Sequence, residues 1–88
     1  MGSESSLEEF HATFPSLQPY IPNIHVLNEL KDWIAKLAPH LRSADYRHAN
    51  NERIRIEMRR IVKEKTKIEL PNDSLIDLIV DFLIRPYS

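Results

Sequence analysis

The chain has no cysteine and a single glycine, and these two absences exclude more than any residue present implies. Without cysteine there is no disulfide, no thiolate metal ligand and no thiol nucleophile. That fits an intracellular protein, with nucleus and cytoplasm not distinguished. The one glycine, Gly2, belongs to a Met1-Gly2-Ser3 start of the kind added for expression. From Ser3 onward glycine is absent, so Gly-rich phosphate loops are excluded, because they need glycine for close backbone approach. Primed two-residue hairpins, which favour Asn-Gly or Asp-Gly, are disfavoured as well. No apolar run reaches the roughly 18 to 20 residues that cross a bilayer, and no secretory signal is visible, so no membrane partner is expected. With 42% apolar and 28% charged residues and a net charge of −1, the balance is that of a globular chain rather than of a basic nucleic-acid tail. At 88 residues it makes one domain, near the lower end of sizes that fold without staples.

What is present is concentrated at residues 75–84, where eight of ten residues are apolar and the exceptions, Asp77 and Asp81, are four apart. Positions four apart share a helix face. The segment therefore reads as a helix apolar nearly all round, with one acidic stripe running back to Asp73. A surface helix needs an apolar stripe of only roughly 100°, so this one is expected in the middle of the fold or under a second chain. Pro71-Asn72-Asp73-Ser74 reads as a turn with a built-in cap, and Arg85-Pro86 ends the helix.

Residues 1–22 hold three acidic residues and no lysine or arginine, and read as an acidic, proline-rich arm. Ser6-Leu7-Glu8-Glu9 fits a capping box, opening a short helix that places Leu7, Phe10 and Phe14 on one face before Pro15. Pro15, Pro19 and Pro22 then predict an extended path. Residues 23–88 read as a helical domain. Asn23 is a cap for a helix whose buried face is Val26, Leu27, Leu30, Trp33, Ile34, Leu37 and Leu41, with Pro39 stopping or kinking its end. Ser43 caps the next helix. Asn50-Asn51 interrupts the pattern, so one long helix and two shorter ones both remain open. Beyond it Ile54, Met58, Ile61, Val62 and, less regularly, Ile68 form one stripe, and Thr66-Lys67-Ile68 weakens the helix. The expected fold is all-α, a small three- to four-helix bundle with the proline-rich arm laid across it.

The candidate chemistry is sparse. His11, His25, His40 and His48 are 14, 15 and 8 residues apart, too far for the short ligand spacings of a small zinc site. Asp73, Asp77 and Asp81 lie in line along a helix, a charged stripe rather than an acid/base pair of split pKa. No serine has an activating neighbour. Neither a metal, a cofactor nor catalysis is expected. The basic stretch offers Arg53, Arg55, Arg59, Arg60, Lys63 and Lys67 as a nucleic-acid face, but residues 43–69 carry eight basic against five acidic residues, with no aromatic after Tyr46 for base stacking. Glu and Lys or Arg neighbours along a solvated helix are the simpler account. The acidic stripe of the last helix is expected beside Arg55, Arg59 or Lys63, orienting the hairpin.

Leu75, Leu78, Ile79, Phe82, Leu83 and Tyr87 resemble the first half of a LisH dimerisation motif, without the glycine usual before the aromatic. The basic helix followed by Leu70-Pro71 and an apolar helix is similar to the start of PWI-like RNA-processing domains. Both patterns arise in any amphipathic helix pair, and neither assigns the chain to a family.

The function expected is a non-enzymatic protein-interaction or dimerisation module of a larger intracellular assembly, binding a protein partner or itself. The alternative is a nucleic-acid-binding helical domain using residues 53–67. Trp33, Leu30, Leu37, Ile61, Leu78, Ile79 and Phe82 are expected in the core. Ile76, Val80 and Ile84, spaced by four, are expected to form the docking row, with Phe10 and Phe14 of the arm as further interaction residues.

Overall fold

The computed structural model describes residues 3–87, in which five α-helices and two single 3₁₀ turns surround one core. No strand occurs among the described residues, and the fold is a small all-α one. Met1, Gly2 and Ser88 lie outside the described residues, and with them most of the Met1-Gly2-Ser3 start.

Helix α1 covers Ser3–Thr13. It begins three residues before Ser6, so Ser6 lies inside the helix and does not cap it; its side chain is outside the description. Ser3, Glu4 and Ser5 include no helix breaker, and the turn runs back through them. Phe10 is fully buried, with Leu7 and Phe14 packed on the core beside it. The three prolines do not draw out an extended path. Pro15 opens a 3₁₀ turn at Pro15–Leu17, because a φ fixed near −65° suits the first position of a helical turn. Tyr20 and Ile21 both return hydrogen bonds to the Leu17 carbonyl at 3.0 Å. His11 Nε2 donates to the Ile21 carbonyl at 2.8 Å, pinning this loop to α1. Leu17 and Ile21 therefore join Phe10 in the same core as residues 23–87.

Helix α2, Ile24–Leu41, is capped by Asn23, whose Oδ1 accepts from the amides of His25 and Val26 at 3.0 and 3.2 Å. Pro39 lies within it and does not stop it. The hydrogen bond that Pro39 forfeits is to Ala35, and both residues are exposed, where water takes the freed carbonyl. This helix is the centre of the fold, packing against each of the other four.

Asn50 decides between one helix and two. Its backbone leaves helical geometry at φ −110°, ψ 12°, while its Nδ2 donates to the Tyr46 carbonyl at 2.9 Å. The side chain thus serves an end of α3, Ala44–Ala49, as the Asn50 carbonyl starts α4, Asn51–Thr66. Ser43 Oγ caps α3 by accepting from the Tyr46 amide. Helix α4 ends on Lys67 in the left-handed region, φ 66°. Glycine is the usual residue there, and Lys67 takes the turn instead, its charge placed favourably at the negative end of the helix dipole. Thr66 Oγ1 donates to the Val62 carbonyl and accepts from the Ile68 amide, fastening the exit.

Helix α5, Asp73–Ile84, is capped by Asn72 Oδ1 on the Leu75 amide at 3.0 Å. It is not wrapped on all sides, as its composition predicts. Ile76, Ile79, Val80 and Leu83 are buried against α2 and α4, and the opposite face is open. Of the expected core, Leu30, Ile61 and Ile79 are buried, while Trp33, Leu37 and Phe82 are half-buried on its edge. Leu78 is the exception, 47% exposed.

Candidate interaction surfaces

The rotation of α5 about its axis decides which residues a partner can reach. Arg55 of α4 holds Asp77 through two hydrogen bonds, and also lies 3.7 Å from Asp73. Arg59 reaches Asp73 at 2.7 Å and the Leu70 carbonyl at 3.5 Å. Arg47 of α3 pairs with Asp81. Turning the acidic stripe toward these arginines carries the adjacent row inward. Ile76 and Val80, expected as docking residues, are 0% and 1% exposed and belong to the core. Ile84 is half-buried, lining a 40 Å³ cleft with Ala38, Leu41, Arg42 and Tyr87. Phe10 is equally inaccessible. Among the expected interaction residues, only Phe14 and Ile84 keep exposed surface.

The open side of α5 is centred on Leu78. Leu75 one turn back and Phe82 one turn on share its ridge, since i, i+3 and i+4 positions are neighbours. Phe82 stacks edge-on against Phe14 and Phe10, with ring centroids 5.6 and 5.4 Å apart, and the Arg85 guanidinium lies 5.2 Å over its ring. Leu75, Leu78, Phe82 and Phe14 thus join into one partly exposed apolar strip across α5 and the end of α1. Helical spacing alone contains Leu78 as an apolar residue; what it lacks is the direction of the acidic stripe.

A second exposed aliphatic lies on α4. Ile56 is 58% exposed, two residues out of phase with Ile54 and Met58, and that offset is the sequence signal that places it outward. It lines an open groove of about 440 Å³ with Arg59, Arg60, Lys63 and Glu69.

Most cations of the candidate nucleic-acid face already have acidic partners within the chain. Arg53 pairs with Glu57 and Arg60 with Glu64, each one turn along α4, and Arg55 and Arg59 serve Asp77 and Asp73. Lys63 and Lys67 make no ion pair among the described residues. The Arg55 and Asp77 pair shifts both groups: the Arg55 guanidinium goes above its ordinary range, and hydrogen bonding to Arg55 holds the Asp77 carboxyl below its own.

Trp33 is an edge residue with a polar tie, its indole Nε1 donating to Glu57 Oε2 at 3.0 Å and joining α2 to α4. His40 stacks on Tyr46 at 5.1 Å. No three His, Cys, Asp or Glu side chains converge as metal ligands among the described residues. No helix among them is long and apolar enough to cross a membrane.

Compared with known proteins, the chain matches no family model, no curated protein and no solved structure.

Proposed function

We propose that this chain is a non-enzymatic protein-interaction module that works through the outward face of α5. The observation that carries the reading is the apolar strip of Leu75, Leu78, Phe82 and Phe14. Single exposed hydrophobics are ordinary on protein surfaces, whereas contiguous apolar patches mark interaction sites. A leucine at the centre of an outward helix face, with an aromatic one turn away, provides a compact anchor of the kind that dominates interface energetics. The rival nucleic-acid reading requires cations free to meet phosphate, and four of its six residues already serve carboxylates of this chain.

The test is a photo-reactive amino acid placed at position 78 and, as a control, at exposed Ala44, with irradiation in the protein's own cells. Cross-linking to a protein chain from position 78 and not from position 44 is the expected result. Equal background from both positions overturns the reading. Recovery of nucleic acid from a third probe at Lys63 replaces it with the rival.

A further inference from the structure

Residues 3–21 pack into the core, yet the segment keeps its polar contacts to itself. The Phe14 amide bonds the Phe10 carbonyl at 2.8 Å, and the Leu17 amide bonds the Phe14 carbonyl at 3.0 Å. Tyr20 and Ile21 bond the Leu17 carbonyl, His11 Nε2 donates to the Ile21 carbonyl, and Thr13 Oγ1 donates to that of Glu9. Among the described residues, the hydrogen bonds of residues 7–21 end within the segment. Its buried face is apolar. Phe10, Leu17 and Ile21 are fully buried in the common core, and the Phe10 and Phe14 rings meet Phe82 at 5.4 and 5.6 Å. Glu9 shares a cleft with Lys31 of α2 and with Phe82 and Leu83 of α5, so α1 seats between those two helices.

The joint between this segment and α2 is Pro22 and Asn23, both exposed. Pro22 has no amide to donate, and Asn23 is extended at φ −145°, ψ 170°. Asn23 Oδ1 closes the start of α2 without help from the segment, on the amides of His25 and Val26. Turning about Pro22 ψ and Asn23 φ therefore swings residues 3–21 away with the hydrogen bonds on both sides intact. Hinges of this kind are a few residues at the end of an element.

We propose that residues 3–21 exchange between two copies of this chain, α1 of each seating between α2 and α5 of the other. The occupant of that seat is visible within one copy, and a second copy supplies an identical one. Swinging the segment out alone exposes Phe10, Leu17 and Ile21 to water, which the hydrophobic effect opposes. Seating it on a second copy restores the same contacts. Only the joint and the lost freedom of two separate copies then set the exchanged form against the closed monomer. Concentration offsets the second of these costs. The exchange is reciprocal, so the pair is closed and two-fold. A joint of two residues spans about 7 Å, which holds Asn23 of both copies near the axis. The outward face of α5 takes no part, and the inference is independent of the reading above.

The experiment refolds the full chain from urea at about 10 µM and about 1 mM, then separates monomer from dimer after dilution. Ordinary and heavy-isotope chains are mixed equally, each with a photo-reactive phenylalanine at position 14, against Phe82. The expected result is a dimer whose yield rises with refolding concentration. It should persist on dilution, because release must unseat three buried side chains. Irradiation should join position 14 of one isotope to the α5 peptide of the other in the dimer, and give links within one isotope in the monomer. Leu78→Ser should leave the dimer yield unchanged.

No dimer at either concentration overturns the proposal. A dimer whose links from position 14 stay within one isotope overturns it as well. Loss of that dimer in Leu78→Ser would then assign the contact to the outward face of α5, and the interaction reading would survive. Circular dichroism checks that the probe leaves the helices formed. If it does not, a photo-reactive leucine at position 7 replaces it, with links to residues 23–87 of the other isotope as the expected result.

Discussion

Arg55 grips Asp77 with two parallel hydrogen bonds, Nε to Oδ1 at 3.0 Å and Nη2 to Oδ2 at 2.6 Å. The planar fork of arginine matches a carboxylate in this way, and the match fixes direction as well as distance. It locks α5 at one rotation beside α4 and so decides which of its apolar residues face water. The acidic stripe of α5 thus lies beside Arg55 and Arg59, two of the three residues that its spacing predicts there.

Arg55→Glu sets a third carboxylate beside Asp73 and Asp77 and should lower the melting temperature clearly. Asp77→Arg in the same chain should recover part of the loss. A double-mutant cycle on thermal melting measures the coupling; additive losses would show that the pair does not orient the hairpin.

The same pair makes stability depend on acid. The Asp77 carboxyl lies below its ordinary value of 3.8, first through the hydrogen bond from Arg55 and then through the charges of Arg55 and Arg47, while desolvation opposes the shift. A carboxylate depressed on folding binds fewer protons folded than unfolded. Its contribution is therefore full above the unfolded pKa and is lost as pH falls through the folded one. The difference in urea midpoint between the parent and Asp77→Asn should be constant above about pH 5 and close steadily below about pH 4. A difference unchanged at the lowest pH would contradict this.

Phe10 tests whether the first 22 residues are an appendage or part of the core. It is fully buried and in ring contact with Phe14 and Phe82. Phe10→Ala should cost about 3–5 kcal/mol, measured by urea denaturation. A cost near zero would mean that the arm packs on a domain already complete without it.

Val80 and Leu78 are two residues apart and should respond in opposite ways to the same change. Val80→Glu buries an unpaired charge in the core and should unfold the chain, since that penalty consumes most of a stability of about 5–15 kcal/mol. Leu78→Glu should remain within about 0.5 kcal/mol of the parent. Circular dichroism and thermal melting of both variants read the rotation of α5 directly.

Lys67 occupies a left-handed turn with a Cβ, which costs an L-residue about 1–2 kcal/mol relative to glycine. Lys67→Gly should raise stability by up to about 1 kcal/mol, the loss of a cation at the helix end and the added chain entropy offsetting part of the relief. A lower urea midpoint would show that the lysine side chain holds the turn by a contact of its own.

The local half of this structure is legible in the residues. Asn23, Ser43 and Asn72 each cap a helix by bonding an amide two or three positions on, and such contacts need no distant partner. The division at Asn50, which the pattern of apolar residues leaves open, needed only the detail of its side chain on the Tyr46 carbonyl. The all-α class follows from the same local signals. The faces of α5 do not. Leu78, Ile76 and Val80 are equally apolar, and the spacing of the row gives no reason for one to face water and two to enter the core. Two contacts far apart in sequence settle it: Arg55 on Asp77, 22 positions away, and the aromatic cluster of Phe10 and Phe14 on Phe82. A helix apolar nearly all round has several rotations of similar hydrophobic gain. Directional contacts from neighbouring helices choose among them, and only the tertiary structure brings those neighbours together.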